Sequence, residues 1–208
     1  MSYTLTLLGI GAVHLLAAAS PGPAFVTVTR VSVGATRRAA LAAAWGVASA
    51  SLFWALAASL GMQVLLTQAA WLSDLMKLAG GAYLIWLGIQ CWRHAGAPLA
   101  VAVNGASGLG AWRAWRLGFA TNLANPKAIV FFGSIFVTLF AADTPLWVRV
   151  AALVIVGLNE SVWYSLVALA FSSRPVQSVY RRGKRWIERV LGTAMLLFGI
   201  RLIADVRA

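Results

Sequence analysis

The sequence predicts an all-α, polytopic membrane protein of six transmembrane helices, built as two inverted three-helix repeats with broken first and fourth helices and both termini outside. Three observations carry this expectation. The 208-residue chain is 61% hydrophobic and 11% charged, with a mean hydropathy of +0.83, whereas soluble domains carry about 25% charged residues. Charged and turn-forming residues divide it into six apolar runs rich in Leu, Ala, Val and Ile, none alternating as a barrel strand does. Its basic residues collect in alternate connections. About 20 apolar residues cross a hydrocarbon core of about 30 Å, so six crossings fill the chain as one membrane domain, 1–208, with no room for a soluble one.

The first run, 4–29, has no basic residue before it, so it is expected to remain as a span and not to be cleaved as a signal peptide. Inside it stands Ser20-Pro21-Gly22-Pro23. Pro21 and Pro23 have no amide proton, which leaves the carbonyls of Ala17 and Ala19 without helical partners, and Gly22 offers the backbone a turn. Free carbonyls can accept from an ammonium group. A helix restarting near Ala24 presents N–H groups and a positive dipole end to a carboxylate, so a zwitterion suits both sides of the break. A proline kink healed by neighbouring helices is the plainer reading; two prolines around a glycine favour a site or hinge.

The runs 39–66 and 72–92 follow, and the stretch 93–116 reads as a linker that closes repeat one (1–92) and opens repeat two (117–208). The fourth run, 117–140, is broken at Thr121-Asn122-Leu123-Ala124-Asn125-Pro126-Lys127. Pro126 frees the Asn122 carbonyl, and Asn122 and Asn125, three apart, share a helix face. Lys127 carries a charge into a span, at about 2.5 to 3.5 kcal/mol on insertion scales. The fifth run, 147–171, holds Glu160, which either pairs with Lys127 or takes up and releases a proton. Tyr164 lies one turn on, beside Asn159 and Trp163. His14 stands two turns before Pro21; a packed, hydrogen-bonded histidine is its plainer reading, and a proton relay or substrate contact the sharper one. The sixth run is 186–204.

Trp71, Trp92, Trp112, Trp115, Trp147 and Trp186 lie near the ends of these runs, as interfacial tryptophans do. Twelve of the 17 basic residues fall in the first, third and fifth connections, at Arg30 to Arg38, Arg93 to Arg116 and Arg174 to Arg189. The positive-inside rule makes those connections cytoplasmic. They also suit anionic lipid and need no nucleic-acid partner, despite the net charge of +12. The halves resemble each other. Lys77-Leu78-Ala79-Gly80 parallels Arg189-Val190-Leu191-Gly192, Gly88-Ile89 parallels Gly199-Ile200, and a run with three spans must insert its second copy inverted. Gly80, Gly81, Gly88, Gly157 and Gly192 suit close helix contact, within one subunit in the plainer reading or in a homodimer.

Several classes are excluded. The lone Cys91 cannot form an internal disulfide or a two-thiol relay, and no His/Cys cluster has metal-ligand spacing, so neither metal nor cofactor is expected. There is no nucleophile elbow and no phosphate loop, so the chain is not read as an enzyme. A secondary transporter is favoured over a redox conduit or an accessory subunit, neither of which needs these breaks with a membrane glutamate.

The stretches SPGPAFV, GGAYLIWLGIQ, TNLANPKAIVFFGS and NESVWY resemble the LysE/RhtB amino-acid exporters of bacteria over nearly the whole chain, nearest to the threonine and homoserine-lactone type, which Val13-His14 and Glu160 also resemble. The resemblance implies export of a small amino acid from the cytoplasm, driven by protons, in the bacterial inner membrane. It implies that Pro21, Gly22, Pro23, Asn125, Pro126, Lys127 and Glu160 belong to the transport core. Ala24 departs from the Asp or Asn that this family usually carries after PGP, and Gly46-Val47-Ala48 lacks its frequent second glycine.

Overall fold

The computed structural model describes residues 3–68, 70–96, 108–139, 144–204 and 206, with side chains in parts of 61–80 and 134–139 left aside. Residues 97–107 of the 93–116 linker, with Pro98 and Asn104, lie outside the described residues, as do the chain ends; the side chains of Trp71, Asp74, Lys77 and Pro126 do too. The described residues form eight helices and no strand: α1 Tyr3–Ala19, α2 Pro23–Gly34, α3 Arg37–Gln68, α4 Ala70–His94, α5 Ala111–Leu123, α6 Pro126–Leu139, α7 Leu146–Phe171 and α8 Arg174–Ala204. Both expected breaks are present. α1 and α2 meet at 57° across Ser20 to Gly22, and α5 gives way to α6 at Ala124-Asn125.

By length and composition α3 over Arg37–Leu60 and α7 are apolar enough to cross a membrane, and α1 with α2 qualifies as one bent span. The sixth apolar run, expected to start at 186, is instead the second half of one unbroken helix from Arg174. At 1.5 Å per residue α8 is about 46 Å long, beyond a hydrocarbon core of about 30 Å. The start signal is Pro175 in its first turn, where a missing amide proton costs nothing.

Helix α7 shows how pattern becomes packing. Val148, Ala152, Val156, Glu160, Tyr164 and Ala168 recur every four residues and are buried, while Val150, Val154, Leu158, Val162 and Leu166 recur on another face and are exposed. An exposed stripe of that purity suits lipid and not water. The buried apolar residues form two clusters. One gathers Ile10, Ala17, Ala128, Phe131, Phe132 and Met195; the other gathers Ala18, Phe25, Val47, Ala114, Tyr164 and Phe171. Ala17 and Ala18 are consecutive yet belong to different clusters, so the break at Ser20 lies where the two meet.

Contacts between helices fix their relative directions. Gly11 with Asn159, Ala18 with Tyr164 and Phe25 with Phe171 climb together, so α1 and α2 run parallel to α7. Ala43 with Gly118, Val47 with Asn122 and Trp54 with Leu123 do the same for α3 and α5. By contrast α4 and α8 are antiparallel and cross on glycines. A Cβ on Gly81 would meet the Gly199 oxygen at 2.8 Å and one on Gly199 the Gly81 oxygen at 2.6 Å. Gly81, Gly88 and Gly192 are thus occupied inside the subunit, whereas Gly157 meets only Leu52, at 3.7 Å.

Candidate transport site at two helix breaks

At the first break the Ala17 carbonyl is met from within the turn and the Ala18 carbonyl from α7. The Ser20 amide and hydroxyl both donate to the Ala17 oxygen, at 3.3 and 3.0 Å. The Tyr164 hydroxyl donates to the Ala18 oxygen at 3.3 Å, across from α7. The Lys127 ammonium donates to the Ser20 carbonyl at 2.9 Å and also to the Ser20 hydroxyl. A backbone oxygen in the break between α1 and α2 is therefore the partner of a cation from α6. Gly22 does not supply the expected special turn: its φ of −165° and ψ of −175° are extended backbone. It supplies room, since a Cβ there would touch Lys127 Cδ and Nζ at 3.6 and 3.7 Å.

The second break is held by its two asparagines. The Asn125 carboxamide oxygen accepts from the Lys127 amide at 3.1 Å, an N-cap for α6 ahead of Pro126 at N1. Its Nδ2 donates to Asn122 Oδ1 at 3.1 Å. Asn122 Nδ2 in turn donates to the Val47 carbonyl at 3.0 Å and to Ser51 Oγ at 2.8 Å, tying the break to α3. The Asn122 carbonyl freed by Pro126 accepts from the Asn125 amide at 3.2 Å.

His14 and Glu160 complete the group. His14 Nε2 lies 3.4 Å from Glu160 Oε1, with both side chains buried. The imidazole also packs against Phe131 and Phe132, ring centres 5.5 and 5.7 Å away. Its packing role is thus real but incomplete, because Nδ1 of His14 and Oε2 of Glu160 are buried with no partner. No ion pair joins Glu160 to Lys127, although both line one cavity. The lysine is held at Ser20 and the glutamate at His14, so of the two alternatives for Glu160 the pair with Lys127 is not the one the structure forms.

The cavity brings together seven of the ten residues singled out from the sequence: His14, Gly22, Asn122, Asn125, Lys127, Glu160 and Tyr164. Pro21 and Pro23 shape the backbone beside it and do not line it, and the side chain of Pro126 is outside the described residues. Sequence reasoning missed Ser51, Phe131 and Phe132 in the wall and the part played by Ser20. Ser20 is adjacent to the proline motif and was findable; nothing in the spacing of Ser51 marks it. The cavity measures about 30 Å³, room for about two waters at 10 to 15 Å³ each. Among the described residues no group of His, Cys, Asp or Glu is placed to hold a metal. Chemically the cavity presents an ammonium, a carboxyl, an imidazole, two carboxamides, a phenol and the Ser51 hydroxyl, beside the apolar faces of Phe131 and Phe132.

A family model described as LysE type translocator matches residues 15–206. The chain belongs to the LysE family. Within it, the chain is 35% identical over 209 residues to a threonine efflux protein of Escherichia coli K12, covering 96% of this chain and 98% of that one. A threonine efflux protein of Salmonella typhi is 32% identical, with 93% of this chain and 95% of the relative covered. A homoserine/homoserine lactone efflux protein of Salmonella typhimurium is 28% identical, with 90% of each covered. No solved structure matches the chain. As a LysE-type translocator it is a membrane transporter and not an enzyme.

Proposed function

We propose that this LysE-family protein exports a small free α-amino acid of the threonine and homoserine kind from the bacterial cytoplasm in exchange for protons. The observation that carries this reading is the pairing, in one cavity, of a cation and a carboxyl that are each held by an internal stand-in: Lys127 by Ser20, Glu160 by His14. A zwitterion replaces both stand-ins at once. Its carboxylate takes the Lys127 ammonium, near the positive N-terminal ends of α2 and α6. Its ammonium takes Glu160, and the amides of Asn122 and Asn125 with the Tyr164 hydroxyl hold the wall.

Antiport follows from competition at one carboxyl. An ammonium group binds Glu160 only when it is ionised, so a proton and an amino acid exclude each other there. On the outer side, a proton added to Glu160 expels the amino acid; on the inner side, its departure readies the site for the next. A cavity with room for about two waters has to widen for a substrate, and the bend at Ser20 to Gly22 is the natural place for that motion.

The same reading has six crossings in the inner membrane, both termini outside, and two inverted repeats, 1–92 and 117–208, joined by a cytoplasmic linker. Support comes from the directions: α1 with α2 runs along α7 as α5 runs along α3, and the third helices of the two halves oppose each other. Purified protein in liposomes should move labelled threonine or homoserine against its gradient when a pH gradient is imposed. Failure with both amino acids under either gradient direction would overturn the reading.

A further inference from the structure

Outside the cavity, α8 carries a second buried ionic group. Lys184 and Glu188, one turn apart, pair at 2.7 Å with side-chain exposures of 11% and 4%. The Lys184 ammonium also donates at 3.1 Å to the carbonyl of His94, the last residue of α4, where a cation suits the helix dipole. That accounts for Lys184. It does not account for Glu188, whose Oε2 is buried without a partner. A carboxylate oxygen kept bare in a protein interior is costly and demands an explanation.

The surroundings of Glu188 give one. Besides Lys184, which touches it, the ionisable groups that act on it through space are the exposed His94 and the buried Cys91 of α4 and Tyr180 of α8. Arg189, next in the chain, holds its guanidinium 5.0 Å from the Trp92 ring, with its Nε buried and without a partner. Cys91 is within electrostatic reach of Lys127 as well as of Glu188. Cys91 packs against Gly192, one turn after Glu188 on α8, and His94, one turn after Cys91 on α4, is exposed, so Glu188 sits between the packed part of this crossing and its open end.

We propose that Glu188 is a second proton-binding residue of this chain, its Oε2 taking up a proton from, and returning it to, water at the His94 end of the α4 and α8 pair. With the proton on Oε2 the carboxyl is neutral. Lys184 then loses its counter-ion and keeps only the His94 carbonyl, so the hold of α8 on the end of α4 depends on the proton. The use of that proton in export rests on the exporter reading above; the binding itself does not.

The test uses the full chain in lipid with no substrate, followed by pH-difference infrared spectroscopy. With five acidic residues in the chain the carboxyl region is sparse. A carboxylic-acid C=O band that titrates, vanishes in Glu188→Gln and persists in Glu160→Gln is the expected result. A Glu188→Gln spectrum that superimposes on wild type overturns the proposal. Should the single variant not fold, Lys184→Met with Glu188→Leu removes both charges together and gives the same subtraction. In liposomes, Glu188→Gln should lose gradient-driven movement of labelled threonine by about a hundredfold while threonine exchange without a gradient is kept. Equal loss of both would make the pair a structural fastening only. A titrating Glu188 band in a wild-type protein that moves no threonine would leave proton binding standing and remove the exporter reading.

Discussion

The backbone oxygen of Gly192 stands 2.6 Å from where a side chain on Gly88 would begin, and the oxygen of Gly88 stands 2.8 Å from the same point on Gly192. Backbone meets backbone at this crossing, so neither neighbour can rotate out of the way as a side chain could. Gly88→Ala should therefore force α4 and α8 apart and lower stability by about 1 to 3 kcal/mol. Gly9→Ala is the control, since nothing lies within 4 Å of a Cβ there. Thermal unfolding in detergent should show a clear loss for the first variant and none for the second.

The breaks and most helix bounds were legible because proline chemistry and apolar runs act locally. Pro21, Pro23 and Pro126 interrupt a hydrogen-bond ladder whatever surrounds them, and α2 and α6 begin at Pro23 and Pro126. Partners were not legible. A chain reveals its charges, so Glu160 stood as one candidate partner for Lys127, yet the lysine is held by the Ser20 carbonyl and hydroxyl, brought to it by a bend 107 residues earlier. The long start of α8 was hidden for a related reason. Its density of Arg and Lys reads as a loop between spans, while those residues are good helix formers and leave its apolar positions one face to pack.

Asn122 links three elements, and its removal should show in stability before it shows in transport. Asn122→Ala deletes the bonds to Val47 and Ser51 and leaves Asn125 Nδ2 without its acceptor. One buried donor stranded in this way costs about 1 to 3 kcal/mol. Ser51→Ala removes one bond of the set and should cost less. Unfolding midpoints of the two variants should fall below wild type in that order; wild-type midpoints in both would mean that the Asn122 network contributes nothing.

Replacing both Pro21 and Pro23 by Ala restores two amide donors, which then compete for the carbonyls of Ala17 and Ala19. The 57° bend should relax and draw the Ser20 oxygen away from Lys127. Insertion should survive and export should stop. Gly22→Ala is gentler: its Cβ meets Lys127 at ordinary contact distance, so the protein should fold normally while substrate is crowded beside the ammonium. A raised KM with unchanged yield is the expected result. Wild-type export from the double proline variant would reduce the motif to a kink.

Glu160 separates a structural role from a coupling one most sharply. In the structure it rests against His14 and makes no ion pair with Lys127, whose bonds go to Ser20. Glu160→Gln therefore strands no lysine, and the loss of about 3 to 5 kcal/mol that follows a broken buried pair should be absent. The variant keeps an oxygen for His14 but cannot carry a proton. Gradient-driven threonine movement should fall by about a hundredfold or more, with the folded yield unchanged. Adding Lys127→Met should bring no recovery, because that lysine was already satisfied at Ser20, and it should weaken substrate binding through the lost carboxylate partner. A poorly folded single variant restored by the double would show that the two charges do meet in another state of the cycle, and would pass the proton to His14, the remaining titratable group against the cavity with a free ring nitrogen.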